Sequence, residues 1–218
     1  MTRLAKAALV ILLLILPAAA PAADPPADQP HWSLEFKGGW FTPDIEDWEV
    51  YYGREKTWHY AGSLAYKLTR QLEVGVEGGY IKDWGQGYAP LNDVIAGRVT
   101  YEVAPLNVFA LYRAVFSEHQ WVVPYIGGGW TRIFYREKIE GQGTIRGKAD
   151  GHHWRAGVQL LLDEADSKAA RNLYEDFGIH NTYFFLETQN STAMINDVEG
   201  KSTNLGGTSL LMGFLFEF

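Results

Sequence analysis

From residue 32 onward the sequence alternates, with large apolar side chains at every second position and small or charged ones between. "HWSLEFKGGWF" sets Trp32, Leu34, Phe36 and Trp40 against Ser33, Glu35, Lys37 and Gly39. "WHYAGSLAYKL" sets Trp58, Tyr60, Leu64, Tyr66 and Leu68 against His59, Ser63 and Lys67. "LEVGVEGGYI" repeats the pattern, Leu72, Val74, Val76 and Tyr80 facing away from Glu73, Gly75, Glu77 and Gly79. Period two sends successive side chains to opposite faces of a strand, so each segment predicts a strand with one greasy and one polar face. Only Thr69, Arg70 and Gln71 separate the second from the third, a hairpin connection. A soluble sandwich makes such strands too. Three features favour a membrane barrel: apolar faces rich in Trp and Tyr, strands near the roughly 10 residues of a tilted spanning strand, and short connections alternating with long ones.

The N-terminal residues agree. "MTRLAKAALVILLLILPAAAPAAD" has a basic start (Arg3, Lys6), an apolar run from Ala7 to Ile15, and small residues ending in Ala20-Pro21-Ala22. That is the layout of a secretory signal peptide over residues 1–22. A membrane-spanning helix is the alternative, but Pro17 interrupts the run short of the roughly 20 residues needed. Residues 23–30 form a Pro-rich tail without core-forming side chains, and 31–218 the barrel. Cleavage after Ala22 removes two bases and no acid, taking the formal charge from −7 to −9. Nucleic acid is excluded as a partner by that balance. The chain has 0 Cys, so nothing closes the fold covalently and no lipid anchor is attached through a cysteine.

Proline marks strand starts in a closed sheet, since it cannot donate to the ladder. Pro105 before "LNVFALYRAVF" and Pro124 before "YIGGGWTRIFY" are read so. With "HHWRAGVQLLL" (152–162), "TYFFLETQ" (182–189) and the terminal run "TSLLMGFLFEF", the count is eight. "GRVTYEV" (97–103) also alternates, but even strand numbers are the rule, and it is read as an extension of the second outer loop. The fold class is therefore all-β, an eight-stranded antiparallel transmembrane barrel whose last strand pairs with the first. Residues 163–181 exceed a turn. Asp163 or Ser167 suits a helix cap, Ala169, Leu173 and Phe177 share a face, and Gly178 suits the end, so a short helix is expected in the periplasmic turn after strand six. It either plugs the periplasmic mouth or rests on the membrane surface or barrel rim.

"VAPLNVFALYRAVFSEHQWVVPYIGGGWTRIFY" resembles the fourth and fifth strands of OmpW-type outer-membrane proteins, with their Pro-containing approach, aromatic-rich strand, short turn and "PY-x-G-x-G" strand. The long turn at 163–181 departs from that pattern. The resemblance implies a bacterial outer-membrane barrel, outer-membrane lipids and the barrel-assembly machinery as partners, and Phe218 as the assembly signal. It also implies a narrow route or binding site for small hydrophobic molecules, leaving sideways where Gly127 and Gly129 thin the wall. No cofactor is implied.

Projected inward, the alternation gives Lys37, Lys67, Arg113, Arg132 and Arg155 against Glu35, Glu73, Glu77, Glu187 and Glu217. Eight strands leave a bore just wide enough for side chains, so these balanced charges predict an internal ion-paired core and no wide aqueous pore. An apolar pocket in the outer half of the lumen would be lined by Phe109, Leu111, Ile126, Trp130, Phe134 and Tyr183, whose other role is lumen packing. The chain has 6 His: His31, His59, His119, His152, His153 and His180. His31-Trp32-Ser33 echoes the His-x-Ser of lipid A deacylases, but at the wrong end of its strand. His59, His152 and His153 lie on strands that are not neighbours, so no metal site is expected. Asn190-Ser191-Thr192 spells a sequon without consequence. No catalytic residue is assigned. A hydrophobic-solute barrel and a structural or surface-interaction barrel with an inert lumen both remain open, ahead of a lipid-modifying enzyme.

Overall fold

Each alternating segment becomes a strand, and the hydrogen-bond ladder runs without a gap from one to the next. The computed structural model describes residues 30–46, 48–89, 94–117, 120–141, 143–196 and 202–218. The expected signal peptide, the 23–30 tail apart from Pro30, and His119 lie outside the described residues. The elements are β1 (Trp32–Pro43), α1 (Trp48–Tyr52), β2 (Thr57–Lys67), β3 (Leu72–Ala89), β4 (Val94–Arg113), β5 (Val122–Ile139), β6 (Gly143–Leu161), α2 (Ser167–Phe177), β7 (Asn181–Asn196), β8 (Ser202–Asn204) and β9 (Gly207–Glu217). Strand β8 pairs only with the end of β7. The other eight close into an antiparallel ring, β1 pairing β9 from Ser33↔Glu217 to Pro43↔Gly207. Backbone bonds between Trp32 and Phe218, 2.8 and 3.0 Å, finish the seam.

The alternation sorts side chains as expected on most strands. Outward lie Phe36, Leu64, Val76, Val108, Leu186, Met212 and Phe214, an exposed apolar band. Trp40, Trp58, Tyr60 and Tyr80 edge it at the far end, and Trp32, Tyr66 and Phe218 at the end carrying the first and last strand residues. An apolar band between aromatic girdles is the outer surface of a transmembrane barrel.

Three expectations change. "GRVTYEV" is not loop but the upper part of β4, laddered to both β3 and β5. Strands β3 to β6, 18 to 20 residues each, thus rise as a sheet beyond the level where β1 and β2 stop pairing at Phe41↔Thr57. Pro105 does not start a strand; it sits inside β4, where the β3–β4 pairing breaks between Gly78↔Leu106 and Ile81↔Val103, so its missing N–H costs no ladder bond. Gly79 faces the ring, and a Cβ there would lie 2.8 Å from Pro105 Cγ. The helix at 167–177 forms, capped neither by Asp163 nor Ser167 but by Asp166, which accepts from Lys168 N and Ala169 N at 3.2 and 3.0 Å. Gly178 closes it at φ 70°, as expected. No residue of α2 is buried, so it does not plug the barrel; Tyr174 and Phe177 stay exposed. Asp163 instead accepts from Thr182 N at 3.2 Å, and burial holds its carboxyl above the ordinary range.

Closure of the ring depends on small residues at the seam. Gly213 faces Lys37 across β1–β9, and a Cβ there would stand 2.0 Å from the Phe36 carbonyl oxygen. Gly213→Leu should sharply reduce the fraction of chain showing heat-modifiable migration on gels, whereas Met212→Leu, one residue away and outward, should leave it unchanged.

Candidate functional site

The inward faces meet in a lumen filled along its length. At its centre Lys37 on β1 reaches Glu77 on β3 and Glu187 on β7 at 2.5 and 2.6 Å, with Glu35 at 3.8 Å. Arg155 on β6 joins the same three acids, Glu77 at 2.8 Å and Glu35 and Glu187 at 3.6 Å. Neutral donors add to these carboxylates: Ser63 to Glu35 at 2.7 Å, Asn107 to Glu77 at 2.8 Å, Gln189 to Glu77 at 3.1 Å, and Tyr125 to Glu187 at 2.9 Å. Nearer the terminal end, Arg113 holds Glu73 at 2.7 Å and also Glu217, which Lys67 shares. Asn181 donates to Glu217 at 2.7 Å. Both arginines have nitrogens without a protein hydrogen bond, but each lies over an aromatic face, Arg155 3.6 Å from the Phe109 centroid and Arg113 5.2 Å from that of Tyr183.

This is the internal ion-paired core the alternation predicts, with one correction. Arg132 is not in it. It faces outward, bound to Asp150 through two nitrogens at 2.7 and 3.0 Å and lying over Trp130. Of the ten charges projected inward, the five acids and four bases, Lys37, Lys67, Arg113 and Arg155, lie inside, and Asp83, higher on β3, is a further buried acid 3.6 Å from Arg54. The cause is the orientation of β5, whose inward residues are Tyr125, Gly127, Gly129, Thr131 and Ile133. The glycines leave inward space against Phe109 and Arg155, which Ile126, Trp130 or Phe134 would overfill.

The same inversion disassembles the expected pocket. Phe109, Leu111 and Tyr183 are buried inside, whereas Ile126, Trp130 and Phe134 point outward, 40 to 49 % exposed. Tyr183 lies toward the terminal end, packed with Val123, Leu161, Phe185 and Leu215, rather than in the outer half. The far half is occupied by an apolar cluster that sequence reasoning missed: Phe41, Ile81, Tyr101, Val103, Ile133 and Leu205, topped by Trp48 and Tyr52 of α1. These two rings stack at 3.9 Å. Their signal is the WEVYY segment, aromatics spaced one helical turn apart in a loop. Burial pushes the Tyr52 hydroxyl above its usual range. Between cluster and charges lies a cavity of about 10 Å³, the room of one water. At Gly127 and Gly129 the β4–β5 ladder continues unbroken, and a Cβ on Gly129 would sit 2.0 Å from the Val108 carbonyl oxygen, so the wall has no sideways opening there.

The histidines divide likewise. Ser33 donates inward to Glu73 at 3.3 Å while the His31 ring stacks on Tyr66, so no His-x-Ser pair forms. His59 Nδ1 lies 2.9 Å from Ser209 Oγ, but His59 Nε2 has no hydrogen-bond partner among the described residues, and the cavity beside the pair has room for about one water. His153 faces inward and His152 outward, and among the described residues no three metal-ligating groups converge.

No protein-family model matches the chain, and no curated protein matches it. Among solved structures it resembles neisserial surface protein A (TM-score 0.54, 14% identity, covering 86% of this chain and 97% of that one). It also resembles the outer membrane protein OprG of Pseudomonas aeruginosa (TM-score 0.55, 11% identity, 87% and 97% covered). The N-terminal β-barrel domain of Pseudomonas aeruginosa OprF gives a TM-score of 0.50 at 14% identity, with 87% and 98% covered. The likeness is one of fold: the chain has the architecture of small outer-membrane barrels, the fold that the OmpW resemblance implies.

Removing one partner from a buried network strands its counter-charges. Arg155→Met should lower barrel stability in micelles by roughly 3–5 kcal/mol, read as a shifted unfolding midpoint in denaturant. Arg132→Met, outside the ring, should leave that midpoint in place.

Proposed function

We propose that the protein is a non-enzymatic barrel of the bacterial outer membrane whose lumen does not conduct, and whose role is performed by its outward surfaces. The observation that carries this is the occupied lumen: paired charges through the centre, and an apolar cluster closed by α1 above them. Desolvated ion pairs joined by neutral donors hold the wall from within and offer ions no continuous water path. Location rests on the signal-peptide layout of residues 1–22 and on the apolar band with its two girdles. A lipid-modifying enzyme lacks support, because the His59–Ser209 pair is buried beside a cavity with room for about one water. A hydrophobic-solute route lacks it too, because the six residues expected to line a pocket divide between lumen and wall.

Phe218 ends the seam strand, outward and beside Trp32, where an aromatic anchors a barrel at the interface. We assign it the further role of a mark read by the barrel-assembly machinery.

The mature chain should fractionate with the outer membrane and show negligible ionic conductance in planar bilayers, and cells with and without it should take up small apolar compounds equally. Large stable single-channel currents would refute the filled lumen. A soluble periplasmic location would refute the membrane reading. Phe218→Asp should reduce assembled barrel in cells well beyond its effect on the purified, refolded barrel; equal effects in both settings would remove the recognition role.

A further inference from the structure

The outer wall of β3 to β6 carries charges that the lumen does not explain. Strand register lays Lys82, Glu102, Arg136 and Arg146 in one outward row across the four strands. The next row toward the apolar band holds Ala104, Phe134 and Lys148, with Tyr80 beside them on β3. Between the rows opens a groove of about 450 Å³, floored by Tyr80, Ala104 and Phe134 and rimmed by Arg136, Arg146 and Lys148. Glu102 is the only acid lining it, and it is already held by Lys82 Nζ at 3.0 Å and by the Arg136 guanidinium. Arg136 uses Nε and Nη2 for that contact, which leaves its third nitrogen. Among the described residues neither Arg146 nor Lys148 has a carboxylate within 4.0 Å; Asp150, bound by Arg132, acts on Lys148 only from a greater distance. Three bases thus rim a groove whose one lining acid is already neutralised, on a chain whose formal charge is −7.

Depth decides what such a site meets. Bases facing hydrocarbon are costly, whereas at the interface they cost almost nothing. Tyr80 pairs with Tyr60 of the far girdle, and Ala104 and Phe134 continue that row of the sheet, so the basic row stands one step beyond it on the side away from the apolar band, where headgroups replace acyl chains. Guanidinium and ammonium groups converging over an aromatic floor match an anion that carries a hydrocarbon tail: phosphate takes charge-assisted bonds from Arg and Lys, and the chain replaces lipid against Phe134. We propose that this groove binds a phosphate-bearing lipid of the outer leaflet, its phosphates on Arg136, Arg146 and Lys148 and its first acyl segment along Tyr80, Ala104 and Phe134.

The inference rests on the outer-membrane reading, and its test separates the two. Binding to the purified full chain in neutral-detergent micelles is measured for bisphosphorylated lipid A, for the same lipid stripped of phosphate, and for inorganic phosphate. The phosphorylated lipid should bind at least about tenfold more tightly than either other probe. Arg146→Glu with Lys148→Glu should abolish that preference, and Arg146→Gln with Lys148→Gln should weaken it. Lys168→Glu with Arg171→Glu on α2, an equal charge change at the opposite end, should retain it. Heat-modifiable migration reports barrel formation in each variant independently. A wild-type chain that forms no barrel in lipid fails the outer-membrane reading and the site with it. A folded barrel that binds both lipids equally, or reversed-charge variants that keep the preference, overturn the site alone.

Discussion

Everything in this molecule follows from closing a hydrogen-bonded ring of eight strands. In hydrocarbon an unpaired backbone edge is prohibitive, so β9 must meet β1 in register over its whole length, as it does from Glu217 to Gly207. Eight strands then fix a narrow bore, and the bore limits what may point inward. Glycine at 213 beside Lys37, and at 127 and 129 beside Phe109 and Arg155, are local answers to that shortage of space.

The narrow interior also accounts for its charges. A polar inward face removed from water must find partners, and each carboxylate here has them: Glu77 alone binds Lys37, Arg155, Asn107 and Gln189. These contacts join β1, β3, β4, β6 and β7 across the lumen, so the network braces strands that are not neighbours in the ring. Its worth lies more in fixing that arrangement than in net stability, since an ion pair recovers little beyond the cost of its own desolvation.

The fold is legible in the sequence wherever size and charge agree. In β1, Glu35 and Lys37 alternate with Phe36 and Trp40, and both signals give the same face. In β4, Phe109, Leu111 and Arg113 share inward parity and all three are buried. In β5 the signals conflict. Arg132 argues that even positions face inward, whereas the small residues Gly127, Gly129 and Thr131 argue for odd ones, and space decides the outcome. Arg132 finds Asp150 opposite it on the outer face, so it needs no place in the lumen. The apolar half of the lumen is hidden for another reason: α1 brings Trp48 and Tyr52 in from a connecting loop, where periodicity gives no inward direction. Pro105 misleads because its compensation, the broken pairing opposite Gly79, belongs to a neighbouring strand.

The raised part of β3 to β6 gives the mouth two unequal sides. Its ladder continues to Val99↔Ile139 and Ile139↔Gly143, long after β1 and β2 have stopped pairing. Where flexible outer loops lose conformational freedom on capture, roughly 1–2 kcal/mol per backbone residue fixed, this projecting sheet is ordered before any encounter. A partner that met that side of the mouth would meet a preset shape, and complementarity to it rather than the moulding of pliant chain would set the fit.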